Sequence, residues 1–165
     1  MIRSLLILSA IVLLLPACKK AEETTSSEDI LRSGRWKRTS AKSTYQGTTT
    51  DVFAGLPDCL KDNTLEFKVN YKGTEYHNTK CSNGDPDTAP FEWGFTNSGK
   101  NLRIYNANET FFFSTSPAPG STSSSVNAEV LQLTDNQLSM RYQIFIQDPI
   151  NQTLDTATIV DVFRR

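Results

Sequence analysis

Apolar and polar side chains alternate along much of the chain, and this two-residue period constrains the fold more than any other feature. Phe91, Trp93 and Phe95 share one face of a segment whose other face is polar or small. The same spacing continues over a longer stretch from Leu138 to Ile146. Because residues two apart lie on one face of a strand, both segments predict half-buried antiparallel strands. Beyond a short helix expected over residues 28–33, no window carries a sustained helical stripe.

Turn-forming residues divide the chain into nine strand candidates. The candidates span residues 35–45, 64–69, 74–79, 91–96, 101–106, 110–114, 126–133, 137–147 and 153–164. We expect about eight of them to form a single antiparallel up-and-down β-barrel, because closure removes exposed strand edges. A two-sheet sandwich is the alternative that alternation alone leaves open. The serine-rich segment 114–125 predicts a loop between two strands.

The first seventeen residues have the pattern of a secretory signal peptide. Arg3 precedes about 12 mostly apolar residues, fewer than the roughly 20 that a spanning helix needs. The segment ends at Leu15-Pro16-Ala17-Cys18, which resembles the lipobox of bacterial lipoproteins. The resemblance implies cleavage before Cys18 and lipidation of that cysteine. The alternative is an ordinary signal peptide followed by an unrelated cysteine.

The rest of the chain divides into a tether and one domain. Residues 18–27 are almost free of apolar side chains and predict a lipidated flexible tether, which leaves residues 28–165 for the barrel domain. Lys19 after the cysteine resembles the sorting signal for the outer membrane of Gram-negative bacteria, where multiple acyl chains would hold the protein stably. Glu22 and Glu23 resemble a surface-export signal or belong to a solvated tether, so periplasmic and surface-facing orientations both stay open.

Cys59 and Cys81 are the two cysteines that remain after Cys18. They flank a predicted hairpin, and antiparallel pairing brings the two ends of a hairpin together. An even pair in an exported protein favours a structural disulfide, worth about 3 kcal/mol through the chain entropy it removes. A metal site would need a second pair of ligands nearby. We therefore expect a disulfide, no metal and no cofactor.

Several motifs occur in the order that a known family shows. Gly34-Arg35-Trp36 opens the first strand, the cysteine-flanked hairpin follows, and Phe91-Glu92-Trp93 precedes Leu131-Gln132-Leu133-Thr134. Together with the lipobox, this order resembles the lipocalin-like lipoproteins of Gram-negative bacteria, over roughly residues 30–165. Lipocalins commonly stack a basic residue of the last strand on the first-strand tryptophan. The resemblance implies structural roles for Gly34, Trp36 and Arg164, or for its neighbour Arg165.

An eight-stranded barrel either fills its interior with side chains or holds one small ligand. The inward candidates are Trp36, Arg38, Ser40, Phe67, Val69, Phe91, Trp93, Phe95, Leu102, Ile104, Phe111, Phe113, Met140, Tyr142 and Ile144. They would line a mostly apolar cup, which favours a small apolar or amphipathic ligand with an anionic head against Arg38. We expect the ligand to contact Arg38, Phe67, Trp93, Phe95 and Tyr142. The alternative is a packed core with Arg38 at the rim in water.

Two other classes of function compete with a ligand-binding protein. An envelope or surface interaction module would have a filled barrel and contact its partner through loop 114–125 and residues 82–87. We expect no enzyme, because the sequence has neither a nucleophile motif nor a phosphate loop nor a metal-binding histidine pair. The carboxylates of Asp51, Glu66, Glu92 and Glu129 fit the outward half of alternating strands.

Charge and loop composition argue against two further kinds of partner. The chain has 17 Lys and Arg against 18 Asp and Glu, with His77 as its single histidine. This balance gives no basic stripe, so we expect no nucleic-acid partner. Asp85 and Asp87 lack the further oxygen ligands of a strong calcium site.

Overall fold

The computed structural model describes residues 25–105, 125–147 and 154–165. In chain order these residues form α1 (Ser27–Arg32), β1 (Arg35–Tyr45), β2 (Thr48–Asp51), α2 (Asp58–Lys61), β3 (Thr64–Phe67), a 3-10 turn (Val69–Tyr71), β4 (Lys72–Tyr76), β5 (Thr88–Thr96), β6 (Asn101–Tyr105), β7 (Ser125–Leu133), β8 (Gln137–Gln147) and β9 (Leu154–Arg164). The predicted signal peptide, Cys18, the strand candidate 110–114 with Phe111 and Phe113, and nearly all of loop 114–125 lie outside the described residues. Within the described residues, no helix has the length and apolar character to cross a bilayer.

Eight of the nine described strands close into an antiparallel barrel, as predicted. The order runs β1-β3-β4-β5-β6-β7-β8-β9, and β9 returns to pair with β1. Trp36 of β1 lies opposite Leu65 of β3, while Arg38 lies opposite Phe163 of β9. Strand β1 therefore joins the two ends of the sheet, which excludes the sandwich. The ninth strand, β2, was not predicted and pairs with the second half of β1.

The antiparallel order gives the barrel two ends with different connections. At one end, which we call the helix end, lie α1, the β3–β4 turn, the β5–β6 and β7–β8 turns and the last residue of β9. At the other, which we call the loop end, lie the β1–β2 turn, α2 and the β4–β5 segment. The helix end has short turns, whereas the loop end has longer connecting segments. Because binding residues lie more often on such segments, we expect an accessible site at the loop end.

Inward side chains from seven of the eight barrel strands, together with Leu31 of α1, form one continuous core. Its buried members are Leu31, Trp36, Leu65, Phe67, Phe91, Trp93, Leu102, Ile104, Val126, Ala128, Leu138, Met140, Tyr142, Ile159 and Phe163. Two inward predictions are wrong. Val69 is 63% exposed because β3 ends before it. Ser40 is only half-buried, because a bulge between Arg38 and Ser40 shifts the register and places Ala41 inside.

The β3–β4 turn lies two residues earlier in the chain than predicted, over residues 68–71 instead of 70–73. Asn70 and Tyr71 adopt left-handed backbone conformations, with φ of 58° and 57°, as the two central residues of a tight hairpin turn do. Gly73, predicted in the turn, lies in β4, where an added Cβ would come within 2.2 Å of the Phe91 ring. The glycine therefore serves packing between β4 and β5 rather than the turn.

Candidate functional site

Trp36 and the C-terminal arginine close the helix end of the barrel. The fully buried Trp36 indole donates its Nε1 hydrogen to the Leu31 carbonyl at 2.8 Å. The Arg165 guanidinium lies 4.3 Å from the centre of the Trp36 ring and donates to the Ile30 carbonyl. An added Cβ on Gly34 would meet the Arg165 Cδ at 3.0 Å. These contacts attach α1 to the barrel.

The stacked residue is thus Arg165 and not Arg164. Arg164 is exposed in β9, opposite Gln137 and Lys37 of the flanking strands. It follows the inward Phe163, so strand alternation directs it outward. Arg165 lies one residue past the strand, where alternation no longer applies and its side chain reaches over the barrel end.

The five predicted ligand residues belong to two separate groups. Phe67, Trp93 and Phe95 form an edge-to-face aromatic cluster, with Phe67–Trp93 and Trp93–Phe95 ring centres 5.5 Å and 6.1 Å apart. Arg38 and Tyr142 instead contact Asp161, a buried residue of β9. The aromatic cluster fills the core, and only its edge at Trp93 and Phe95 reaches a surface groove beside the helix end.

Arg38, Tyr142 and Asp161 form a buried polar cluster inside the barrel. Arg38 Nη2 lies 3.1 Å from Asp161 Oδ2, and the Tyr142 hydroxyl donates to the same oxygen at 2.9 Å. Arg38 is 2% exposed and Asp161 is 0% exposed. Burial raises the pKa of Asp161, against the opposing effect of Arg38. Burial, followed by the neighbouring Asp161, raises the pKa of Tyr142 well above its usual value.

This cluster changes both expectations for Arg38. The core is packed, as the alternative expected, but the Arg38 side chain lies inside it and not at the rim in water. The Asp161 carboxylate also occupies a position beside the guanidinium that an anionic ligand head would need. A second anion there would compete with a buried carboxylate for the same donors.

A second polar cluster lies at the loop end and contains Asn63, Glu75 and His77. Asn63 Nδ2 donates to Glu75 Oε1 at 3.0 Å, and His77 Nε2 lies 3.2 Å from the same oxygen. His77 Nδ1 lies 2.7 Å from the Pro86 carbonyl, a contact that assigns the proton of a neutral ring to Nδ1. Burial raises the pKa of Glu75, whereas the charges of His77 and, more weakly, Arg38 lower it.

A cleft of about 410 Å³ opens over this second cluster. Residues of the α2 region, among them Pro57, Leu60 and Asn63, line one side, and His77, Thr79 and Pro86 line the other. The Cys59–Cys81 disulfide crosses between the two sides, with Cα atoms 5.3 Å apart. The predicted disulfide is thus present, and it joins both walls of the cleft.

Asn63 lines the cleft and carries a buried hydrogen-bond acceptor. The residue is 2% exposed, and its Oδ1 atom accepts no hydrogen bond from any described residue. Its amide nitrogen is held by Glu75, which fixes the orientation of the oxygen. A buried acceptor without a partner costs about 1–3 kcal/mol. A ligand N–H or O–H group reaching Oδ1 would recover that cost.

The remaining acidic candidates are engaged in surface contacts. Asp85 accepts hydrogen bonds from the Ser82 backbone and hydroxyl, and Asp87 pairs with Lys80 at 2.7 Å. Glu66 accepts from the Tyr76 hydroxyl at 2.6 Å. Glu92 pairs with Lys72 and Glu129 with Arg141, whereas the exposed Asp51 accepts from the Ala54 backbone. Within residues 25–105, 125–147 and 154–165, no three His, Cys, Asp or Glu side chains are grouped closely enough to hold a metal ion.

Sequence reasoning missed Asp161, Glu75 and Asn63 as interior polar residues. The alternation in β9 could have identified Asp161, because this residue lies on the inward face of the strand, two residues from both Ile159 and Phe163. Glu75 lies on the same face of β4 as Gly73, two residues earlier, but the strand is too short to show a clear apolar face. Asn63 precedes β3, so the alternation of apolar and polar residues does not predict the direction of its side chain.

No model of a known protein family matches the chain, and no curated protein sequence matches it significantly.

Proposed function

We propose that this chain is a membrane-anchored, lipocalin-like binding protein that takes a small amphipathic ligand in the cleft at the loop end of its barrel. The observation that carries the proposal is the buried Asn63 Oδ1, unpartnered among the described residues, in the lining of that cleft. The volume of about 410 Å³ falls within the range of small-molecule sites. A disulfide across the cleft favours a preformed site, which lowers the entropic cost of binding.

The lining of the cleft indicates the chemistry of the ligand. Asn63 Oδ1 is an acceptor, so the polar end of the ligand must donate an N–H or O–H hydrogen. The side chains of Pro57, Leu60 and Pro86 offer apolar surface to the rest of the molecule. A carboxylate head would face the amide oxygen and the Glu75 carboxyl behind it. The ligand class is therefore a neutral amphiphile with a hydroxyl, amide or similar donor.

This site differs from the one that the sequence pattern suggests. The aromatic residues Phe67 and Trp93 pack against each other in the core. Arg38 is paired with Asp161 below the cleft.

The anchor is supported by the sequence of the N-terminal segment. Leu15-Pro16-Ala17-Cys18 provides the lipobox, and Lys19 favours delivery to the outer membrane of a Gram-negative bacterium. Two or more acyl chains are needed for stable anchoring, at about 0.8 kcal/mol for each buried methylene. Mass spectrometry of the mature protein should show acyl groups on Cys18, and Cys18→Ser should release the protein from membranes.

Binding can be tested with matched amphiphiles. A medium-chain primary alcohol and its methyl ether have the same apolar tail, but only the alcohol donates a hydrogen bond. Isothermal titration should show that the alcohol binds more tightly than the ether. Asn63→Leu should weaken binding of the alcohol about tenfold, the effect of losing one hydrogen bond, and leave binding of the ether nearly unchanged.

Asn83→Leu is the matched control. Asn83 is exposed in the segment that precedes Pro86 and does not line the cleft, so its replacement should not alter either affinity. Equal affinity for alcohol and ether, or no binding of any neutral amphiphile in a panel, would overturn the proposal. The second result would favour the interaction module, whose described contact surface is the exposed segment 82–87.

A further inference from the structure

The helix end carries an exposed apolar pair on the β3–β4 turn. Val69 and Tyr71 are 63% and 56% exposed. The backbone at Asn70 and Tyr71 is left-handed, which is unfavourable for a tyrosine and holds its side chain at the tip of the hairpin. One edge of the Tyr71 ring contacts Trp93, with ring centres 5.7 Å apart. The pair is therefore held by the barrel and projects from it.

The same turn adjoins the start of the described chain. Val69, Tyr71 and Trp93 share a groove of about 300 Å³ with Glu28 and Arg32 of α1. Helix α1 is capped by Ser26, so the chain enters the barrel at this end. A lipidated Cys18 precedes Thr25 by seven residues, a distance that spans at most about 25 Å when fully extended. An anchor at Cys18 would thus keep the turn close to the membrane surface.

The charges at the helix end suit an anionic surface. The cations on its elements are Arg32, Arg35, Lys37, Lys68, Lys72, Lys100, Arg164 and Arg165, and the acids are Glu28, Asp29, Glu66, Glu92 and Asp135. Cations are in excess here although the whole chain has a net charge of −1. Basic side chains near an anionic leaflet are attracted to it, and tyrosine is favoured at the interface between headgroups and acyl chains.

We propose that Val69 and Tyr71, with the surrounding basic side chains, dock the helix end onto the anionic headgroup region of the membrane that holds the anchor. This inference rests on the proposed lipid anchor. Docking would turn the loop end, and with it the ligand cleft, away from the bilayer. An anchor at Cys18 without this contact would not fix the orientation of the barrel.

Depth-dependent quenching tests the orientation. The acylated full-length mature protein is reconstituted in vesicles of phosphatidylcholine with phosphatidylglycerol, after Val69→Cys is labelled with a fluorophore. Nitroxide-bearing lipids should quench this label several-fold more than a label at Leu154→Cys. Leu154 is the matched control because it is 51% exposed and apolar but lies at the loop end. Omitting phosphatidylglycerol should reduce the difference.

A second variant tests the contact itself. With the label at Asn70→Cys, replacing Val69 and Tyr71 by serine should lower quenching several-fold, whereas Phe145→Ser with Leu154→Ser should not. Equal, weak quenching at positions 69 and 154 in protein that floats with the vesicles would overturn docking and leave the anchor intact. Absence of acyl groups on Cys18 and failure to float would overturn the anchor and docking together. A dimer that depends on Val69 and Tyr71 would instead assign the patch to a second copy of the chain.

Discussion

The two ends of the barrel differ in the kind of side chain that they bury. At the helix end, Trp36 is covered by α1 and by Arg165, and its one polar atom is satisfied by the Leu31 carbonyl. Further inside the barrel lies the buried ion pair of Arg38 and Asp161, and at the loop end Glu75 is buried beside Asn63 and His77. Apolar burial stabilises a fold with little demand on geometry, whereas buried charged and polar groups require defined partners. The comparison indicates that the helix end contributes apolar stability, whereas the loop end carries the candidate site.

The disulfide is a second difference between the two ends of the barrel. The Cys59–Cys81 disulfide lies at the loop end, where α2 and the β4–β5 segment contribute little to the buried core. A cross-link stabilises such segments by restricting the unfolded chain, without needing apolar area. The cleft can therefore keep an unpartnered acceptor while its walls stay in place.

The largest expected effect is at the helix end. Trp36→Ala should lower the free energy of unfolding by about 3–5 kcal/mol, because it removes a fully buried aromatic side chain and leaves a cavity. Denaturant unfolding measures the change. Phe145→Ala is the control, since that side chain is 42% exposed on the outer face of β8, and it should cost much less. Similar losses for the two variants would mean that Trp36 does not hold the helix end.

A smaller loss is expected from breaking the interior ion pair. Asp161→Asn should cost about 3 kcal/mol, because it leaves the Arg38 charge buried without its carboxylate. Replacing both residues by apolar ones, Arg38→Met with Asp161→Leu, should recover most of the loss. Chemical denaturation of the single and double variants tests both statements. A double variant as unstable as Asp161→Asn would show that the pair contributes more than mutual neutralisation.

The smallest effect is a change in how stability depends on pH. Burial raises the pKa of Glu75 above its usual 4.5, so just above that value the folded chain retains a proton that the unfolded chain has released. The free energy of unfolding therefore falls as pH rises through this window, and Glu75→Gln should remove that decline. Thermal unfolding at a series of pH values measures the slope.

Glu66→Gln is the control, because its effect on the pH dependence of stability should have the opposite sign. The hydrogen bond from the Tyr76 hydroxyl lowers the pKa of Glu66. Its contribution to stability is present above pH 4.5 and lost as pH falls through the lowered pKa, so Glu66→Gln should reduce stability at neutral pH and not in acid. If Glu75→Gln and Glu66→Gln changed the pH dependence of the free energy of unfolding in the same direction, the assignment of Glu75 to a buried environment would be contradicted.

The fold was predictable because it depends on a local pattern repeated in every strand. Alternation in β5 and β8 identified their inward faces, and it places Trp93 and Met140 correctly in the core. Local irregularities carried no such signal. The bulge after Arg38 and the left-handed Asn70-Tyr71 pair each end a run of alternation, which explains the errors at Ser40 and Val69.

The candidate site was less predictable because its members are distant in sequence. Asn63 and Glu75 are twelve residues apart, and Arg38 and Asp161 are 123 apart. Alternation places Arg38 and Asp161 on inward faces, but no local pattern identifies the partner of either side chain, and none places Asn63. Only the closed barrel shows which polar groups meet.

The sequence by itself determined the eight strands of the barrel, the closure expected of them and the pairing of Cys59 with Cys81, because alternation and cysteine number are properties of the chain alone. Tertiary structure decided that Arg38 is neutralised by Asp161, that Arg165 rather than Arg164 covers Trp36, and that Asn63 lines a cleft. The physical reason is the cost of burying a charge or a polar atom. That cost is set by the partners that the closed barrel brings within hydrogen-bonding distance, and no segment contains them in advance.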